Sequence, residues 1–182
     1  NEIVYFILKD KKNIALAVSI HNVFDDIRKE IIKGVTTVLC KTLEQKLPPS
    51  DGWEMNANGL INDPLGSYPC VGVRKNHWPT QIEVGIEAQS SKGALNWIYG
   101  VMGKEGYESA PGLKANLDNK MSFGSASTQW IWYRNLNEPW RNWNTPESLM
   151  SMRDGEIGQI CIYLTNEIQN LAYHVATLIP SP

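Results

Sequence analysis

The feature that most constrains this 182-residue chain is a change of hydrophobic period along it. Between Gln81 and Val101 the apolar residues alternate. Ile82, Val84, Ile86 and Ala88 share one face of an extended segment, and Glu83, Gly85 and Glu87 share the other. After Gln89-Ser90-Ser91-Lys92-Gly93, Leu95, Trp97, Tyr99 and Val101 alternate with Asn96, Ile98 and Gly100. A period of two on both sides of a short polar loop ending in Gly predicts an antiparallel hairpin with arms at 81–88 and 94–101. One of its faces belongs to a core and the other to water.

On either side of this hairpin the period changes to 3.6. Val23, Phe24, Ile27, Ile31, Val35, Val38, Leu39, Leu43 and Leu47 recur at steps of three and four, which predicts one amphipathic helix over 22–47. Asn22 can cap it, Asp25 and Asp26 suit its first turn, Gly34 is a mild internal cost, and Pro48-Pro49 ends it. A second stripe runs through Ile157, Ile160, Cys161, Leu164, Ile168, Leu171, Ala172, Val175, Leu178 and Ile179, with Asp154 as cap and Pro180 as stop, predicting a helix over 154–179. Asn144-Thr145-Pro146-Glu147 opens a short helix to about Met152, and Ser109-Ala110-Pro111 opens another to about Lys120.

The remaining segments read as strands and loops. Trp53–Ala57, Cys70–Lys75 and Thr128–Leu136 are strand candidates, and 58–68, rich in Gly, Asn, Asp and Pro, is a loop. Glu2–Leu8 (EIVYFIL) is β-branched and aromatic and reads as an N-terminal strand, Lys9–Asn13 as a polar turn, and Ile14–Ile20 as either a return strand or the first turns of the following helix. Two stripes must be buried, and a meander offers one apolar face. The expected fold is therefore a single α+β domain over 1–182: an antiparallel sheet of about five strands with the two long helices packed on one face, a two-layer sandwich.

Composition bounds the chemistry. Seventeen Lys and Arg against nineteen Asp and Glu give a net charge of −2, so no global basic field points to nucleic acid, although DNA contact through a local patch stays open. No apolar run approaches the roughly 20 residues of a membrane span, and a soluble, cytoplasmic protein is expected. Cys40, Cys70 and Cys161 lie far apart, which argues against a disulfide scaffold or a cysteine zinc site and for small buried hydrophobes in a reducing compartment. Phosphate loops, dinucleotide fingerprints, zinc-protease helices, nucleophile elbows and EF-hand loops have no counterpart in the sequence. His21, His77 and His174 are isolated, and each is more readily structural than catalytic; the His77-Trp78-Pro79 corner before the hairpin is the best placed of them.

Two groups of residues stand as candidate sites. Glu83 and Glu87 lie on one face but about 13 Å apart along a strand, too far for one ion. With Asp63 before them and Gln89 after, they echo loosely the acidic loop and E-x-K strand of a magnesium-dependent nuclease, in which two carboxylates hold Mg and a lysine activates water. Gln89 stands where that lysine is needed; Lys92 could substitute from the turn, and the plainer alternative is a solvated acidic strand edge. The second group is aromatic. Trp130, Trp132, Tyr133, Trp140 and Trp143, interleaved with Arg134 and Arg141, can fill the core and cover the sheet, grip a protein partner, or stack bases.

The order of these motifs is a resemblance in itself. A long helix, Gly52-Trp53, the strand IEVGIEAQ (82–89), then NWIYGV (96–101), Trp130 and Tyr133, the segment Trp140-Arg141-Asn142-Trp143-Asn144, a short helix and Asp154-Gly155-Glu156 are together similar to the C-terminal region of bacterial proteins of the PD-(D/E)XK nuclease superfamily. The likeness spans roughly 22–179. It implies that catalytic carboxylates and lysine belong to a preceding domain, and that this region has no assigned chemistry of its own. The expectation is a non-catalytic accessory or interaction domain of a bacterial or phage protein, whose partner is an unknown protein, its own upstream nuclease-like domain or a second copy, with no cofactor. The alternatives are a divergent Mg-dependent nuclease and a small-ligand module with a Trp-lined pocket.

Overall fold

The computed structural model describes residues 1–90, 95–103, 112–153 and 157–179. Five strands, β1 (Trp53–Asn56), β2 (Cys70–Lys75), β3 (Ile82–Ala88), β4 (Trp97–Gly103) and β5 (Trp130–Asn135), form one sheet in the order of the sequence, every neighbour antiparallel. The α+β class and the five-stranded meander therefore stand as expected. Ser90 begins the β3–β4 loop, whose residues 91–94, including Lys92 and Gly93, lie outside the described ones.

Helices α1 (Glu2–Leu8), α2 (Lys11–Lys46), α3 (Asn58–Asn62), α4 (Leu113–Met121), α5 (Pro146–Arg153) and α6 (Ile157–Leu178) complete the order. α6 lies against β2, β3 and β4, and its stripe Ile160, Leu164, Ile168, Leu171 and Val175 is almost wholly removed from solvent. Apart from α1, its neighbour in the chain, the partner of α2 is chiefly α6, then α5 and α3. Cys161 Sγ of α6 sits 3.6 Å from the Val35 carbonyl of α2, and the Tyr173 hydroxyl donates to the Lys46 carbonyl at 3.0 Å. The expectation that both long helices lie directly on the sheet thus holds for α6, while α2 packs mainly on α6. Thr145 Oγ1 caps α5, and the expected Asp154 cap of α6, Pro180 and the Ser109–Pro111 helix opening lie outside the described residues.

The N-terminal segment differs from the sequence reading. Glu2–Leu8 is helical, capped by the Asn1 side chain on the Ile3 amide, and the chain breaks only at Lys9 and Asp10 before α2 begins. Asp10, extended at φ −144° and ψ 140°, caps α2 through the Lys12 amide, so Asn22 lies in mid-helix. A β-rich composition forms a strand only beside another strand that satisfies its backbone; with no such neighbour, a helix, which bonds within itself, is the structure available. The 58–68 loop likewise holds one helical turn, α3, whose Leu60 is buried.

α2 also carries two apolar faces where the sequence reading merged them into one. Ile32, Val35, Leu39 and Leu43 are buried against the body. Leu16, Ile20, Val23, Phe24, Ile27 and Val38 are exposed, and they lie roughly a third of a turn round the helix from the buried set. No residue before Arg28 is buried, in α1 or in α2. The first part of α2 and all of α1 therefore form an arm that runs off the body.

Candidate binding groove on the open face of the sheet

The strand register decides which side chains meet. On the face turned to α6, Ile82, Val84, Ile86 and Ala88 are fully buried, as the alternation requires. On the opposite face, Asn56 pairs with Gly72, Gly72 with Gly85, and Gly85 with Gly100. Three glycines in register leave the centre of that face without side chains. Gly85 and Gly100 are also needed for the pairing itself, because a Cβ on either would run into the backbone carbonyl of the adjoining strand, Val71 or Trp132 respectively.

Around this bare centre a groove of about 490 Å³ is lined by Asn56, Cys70, Glu83, Glu87, Met102, Gln129 and Trp130. Glu83 is opposite Met102, and both lean inward, so that the place a Cβ would take on Gly72 is 3.0 Å from Glu83 Oε2 and 3.2 Å from the Met102 methyl. Glu83 is 9% exposed and makes no hydrogen bond or ion pair among the described residues. Glu87 lies opposite Cys70 and accepts a 2.6 Å hydrogen bond from the Gln89 amide. Burial pushes its carboxyl above the usual range, and the Gln89 amide and the nearby Trp130 indole N–H act against that shift. The nearest basic side chain shown by an ion pair on this face is Arg74, which is engaged with Glu54 at 3.2 Å.

Trp130 reaches this groove because of a bulge. Met102 pairs with Trp130 but its neighbour Val101 pairs with Trp132, so two steps on β5 match one on β4. Simple alternation puts Trp130 and Trp132 on one face. The bulge sends Trp132 into the core, where its indole N–H donates to Asp118 at 3.1 Å, and turns Trp130 to the open face beside Met102. Trp130 is 2% exposed, and its Nε1 has no hydrogen-bond partner. Tyr133 joins it at 6.2 Å, edge to face.

The remaining aromatic candidates divide by burial. Trp143 stacks on Trp97 at 3.9 Å and donates to the Trp140 carbonyl at 2.7 Å, while the Arg141 carbonyl and the Asn142 side chain receive the amides of Trp97 and Asn96. Trp140 packs on Tyr163 of α6. The 139–145 segment is thus a strap binding β4 to α6, and its indoles are structural. Trp78 is buried edge-on to Trp53, and His77 Nε2 lies 3.4 Å from the Ile179 carbonyl, at the end of α6. Arg134 stays exposed and reaches the Met121 carbonyl. Of the residues expected on an aromatic surface, Trp130 and Tyr133 share the open face; Trp132, Trp143 and Trp78 are in the core.

The acidic constellation is not brought together. Glu83 and Glu87 share the groove and Gln89 bonds to Glu87, but exposed Asp63 ends α3 with its carboxylate turned towards Gly66, and it does not line the groove. Lys92 lies outside the described residues. Among the described residues no three His, Cys, Asp or Glu side chains gather so as to hold a metal ion. None of their helices is long and apolar enough to cross a membrane. No family model, curated protein or solved structure matches the chain.

Proposed function

We propose that this chain is a non-catalytic interaction domain, the accessory C-terminal part of a nuclease-like bacterial or phage protein, and that it acts as a pair of identical copies joined through the N-terminal half of α2. The observation that carries the reading is the outer stripe of that helix. Leu16 is 58% exposed, Ile20 51% and Ile27 48%. Contiguous apolar surface on this scale marks a contact, because isolated in water it has no compensating partner.

The charges beside the stripe favour a second copy as the occupant. Lys12 and Glu30 are about five helical turns apart and so lie on one line down the rod, on the same flank of the stripe. When two such helices pair antiparallel, residues on the same flank meet. Lys12 of one copy then falls beside Glu30 of the other, Leu16 beside Ile27, and Ile20 beside Val23. Parallel, in-register pairing puts this flank against the partner's opposite flank, so that Lys12 and Glu30 of the two copies do not meet. Glu30 holds Lys33 at 3.1 Å on its own helix, an exposed pair that a partner can displace at little cost.

Sedimentation of the chain over a range of concentrations tests this reading. A dimer is expected, dissociating in Ile20→Asp and Val23→Asp while the fold of the body persists. Lys12→Glu is expected to weaken the pair and Lys12→Glu with Glu30→Lys to restore it. A chain monomeric at every concentration would remove the second copy and leave the stripe to an upstream nuclease-like domain.

A further inference from the structure

We infer that the groove on the open face of the sheet is a binding site for a guanidinium group, held by the Glu83 carboxylate over the glycine centre of the sheet and flanked by Trp130. The site is independent of pairing through α2, since none of its residues belongs to that helix.

Glu83 is the first reason. Its residue is 9% exposed, and it has neither a hydrogen bond nor an ion pair among the described residues. It faces an open groove of about 490 Å³, and no residue lining that groove is basic. The second carboxylate, Glu87, stands along the same strand on the same face, its oxygen shared with Gln89. The partner this groove suits is therefore a cation, and one that brings several N–H donors, because the Glu83 and Glu87 carboxylates line it together with the side chains of Gln129 and Asn56.

Shape selects among cations. Gly72, Gly85 and Gly100 pair across three strands and carry no side chain of their own; Glu83 and Met102 lean over Gly72, and a flat group can approach the backbone at Gly85. A guanidinium is planar, forks onto a carboxylate through two parallel hydrogen bonds, lies well against an indole, and is less strongly hydrated than an ammonium. Trp130 supplies that indole, fully desolvated, beside Glu87. Its indole N–H lies near the Glu87 carboxylate without closing a hydrogen bond to it, and a peptide carbonyl next to an arginine side chain offers the acceptor that a guanidinium lacks. The guanidinium can come from a free small molecule or from an arginine in a peptide, and the Trp130 N–H favours the second.

Calorimetric titration with agmatine, with the blocked peptide acetyl-Gly-Arg-Gly-amide and with putrescine separates these sources, while NMR follows the Trp130 indole N–H. Saturable binding of agmatine and the peptide is expected, with putrescine at least ten times weaker. The peptide is expected to move the Trp130 indole resonance most. Glu83→Gln, nearly isosteric, is expected to weaken both guanidinium ligands at least tenfold while the protein stays folded. Agmatine binding as tightly as the peptide assigns the site to a free ligand. Equal affinity for putrescine, no binding of either guanidinium probe, or full affinity in a folded Glu83→Gln protein would overturn the assignment.

Discussion

The two halves of α2 are one continuous helix with opposite fates. From Arg28 onward the helix contributes Ile32, Val35, Leu39 and Leu43 to the body, all at most 1% exposed; before it, Ile14, Leu16, Val18 and Ile20 are each at least 40% exposed. Their residue types are alike. The difference lies in what stands opposite: α6 and α5 face one half, and nothing among the described residues of this chain faces the outer stripe of the other. Apolar composition therefore does not by itself put a helix in a core. It creates a demand, which the fold meets for one half and leaves to a partner for the other.

Substitution should separate the halves by the largest margin. Leu39→Ala leaves a cavity in a site with no exposed surface and is expected to cost about 2–5 kcal/mol. Ile20→Ala in dilute, monomeric protein is expected to change stability by less than about 0.5 kcal/mol, as exposed positions do. Urea unfolding of both variants measures the gap. Equal costs would mean that the arm is packed in the isolated chain and that the division at Arg28 is false.

The same contrast explains what could be read without a structure. Period-two stretches at 53–57, 70–75 and 81–101 were legible because alternation sets Val84 and Ile86 on one face and Glu83 and Glu87 on the other; the second face is not wet as expected, since Glu83, Ile98 and Trp130 on it are buried. The stripe of α2 was legible as a helix but not as two faces. Steps of three and four drift round the rod, so Val23 and Phe24 join Val35 and Leu39 on paper while lying on different sides in space. Glu2–Leu8 was misread because strand formation depends on a neighbour that local composition does not reveal. The groove was half legible. That Glu83 and Glu87 share a face follows from spacing; that Gly72 and Gly100 align with Gly85, or that a bulge parts Trp130 from Trp132, depends on the register of other strands.

Ion pairs sharpen the comparison at a smaller scale. On α2 the pairs Lys29–Asp26 and Lys33–Glu30 are exposed and contribute little. In the body Asp118 accepts from Lys114 at 2.6 Å, from the Gly124 amide at 2.9 Å and from the Trp132 indole at 3.1 Å, fixing a core tryptophan from outside. The Lys114 hydrogen bond, then the Gly124 amide, hold its carboxyl below the usual range. A carboxyl depressed in the folded state stabilises the protein fully above its unfolded pKa, and that contribution is lost as pH falls through the depressed value. Wild type should therefore lose stability on acidification more steeply than Asp118→Asn. Parallel slopes in the two proteins would show that Asp118 anchors nothing.

The smallest effect concerns the joint between the helices. Cys161 is buried between α2 and α6, and desolvation, with a lesser contribution from Cys40, pushes its thiol up to about 11. Against a reference of 9.0, that leaves about a hundredfold less thiolate at neutral pH, before any barrier to access is counted. Cys70 is half-buried and lines the open groove. Iodoacetamide should consume Cys70 first and reach Cys161 only when the α2–α6 contact opens, so its rate reports that opening directly. Ile20→Asp, on the arm, should leave the Cys161 rate unchanged, and Leu39→Ala, at the joint, should raise it. A Cys161 rate that follows the arm variant instead would mean that the two halves of α2 are coupled, and that pairing at the stripe tightens the body as well as joining two copies.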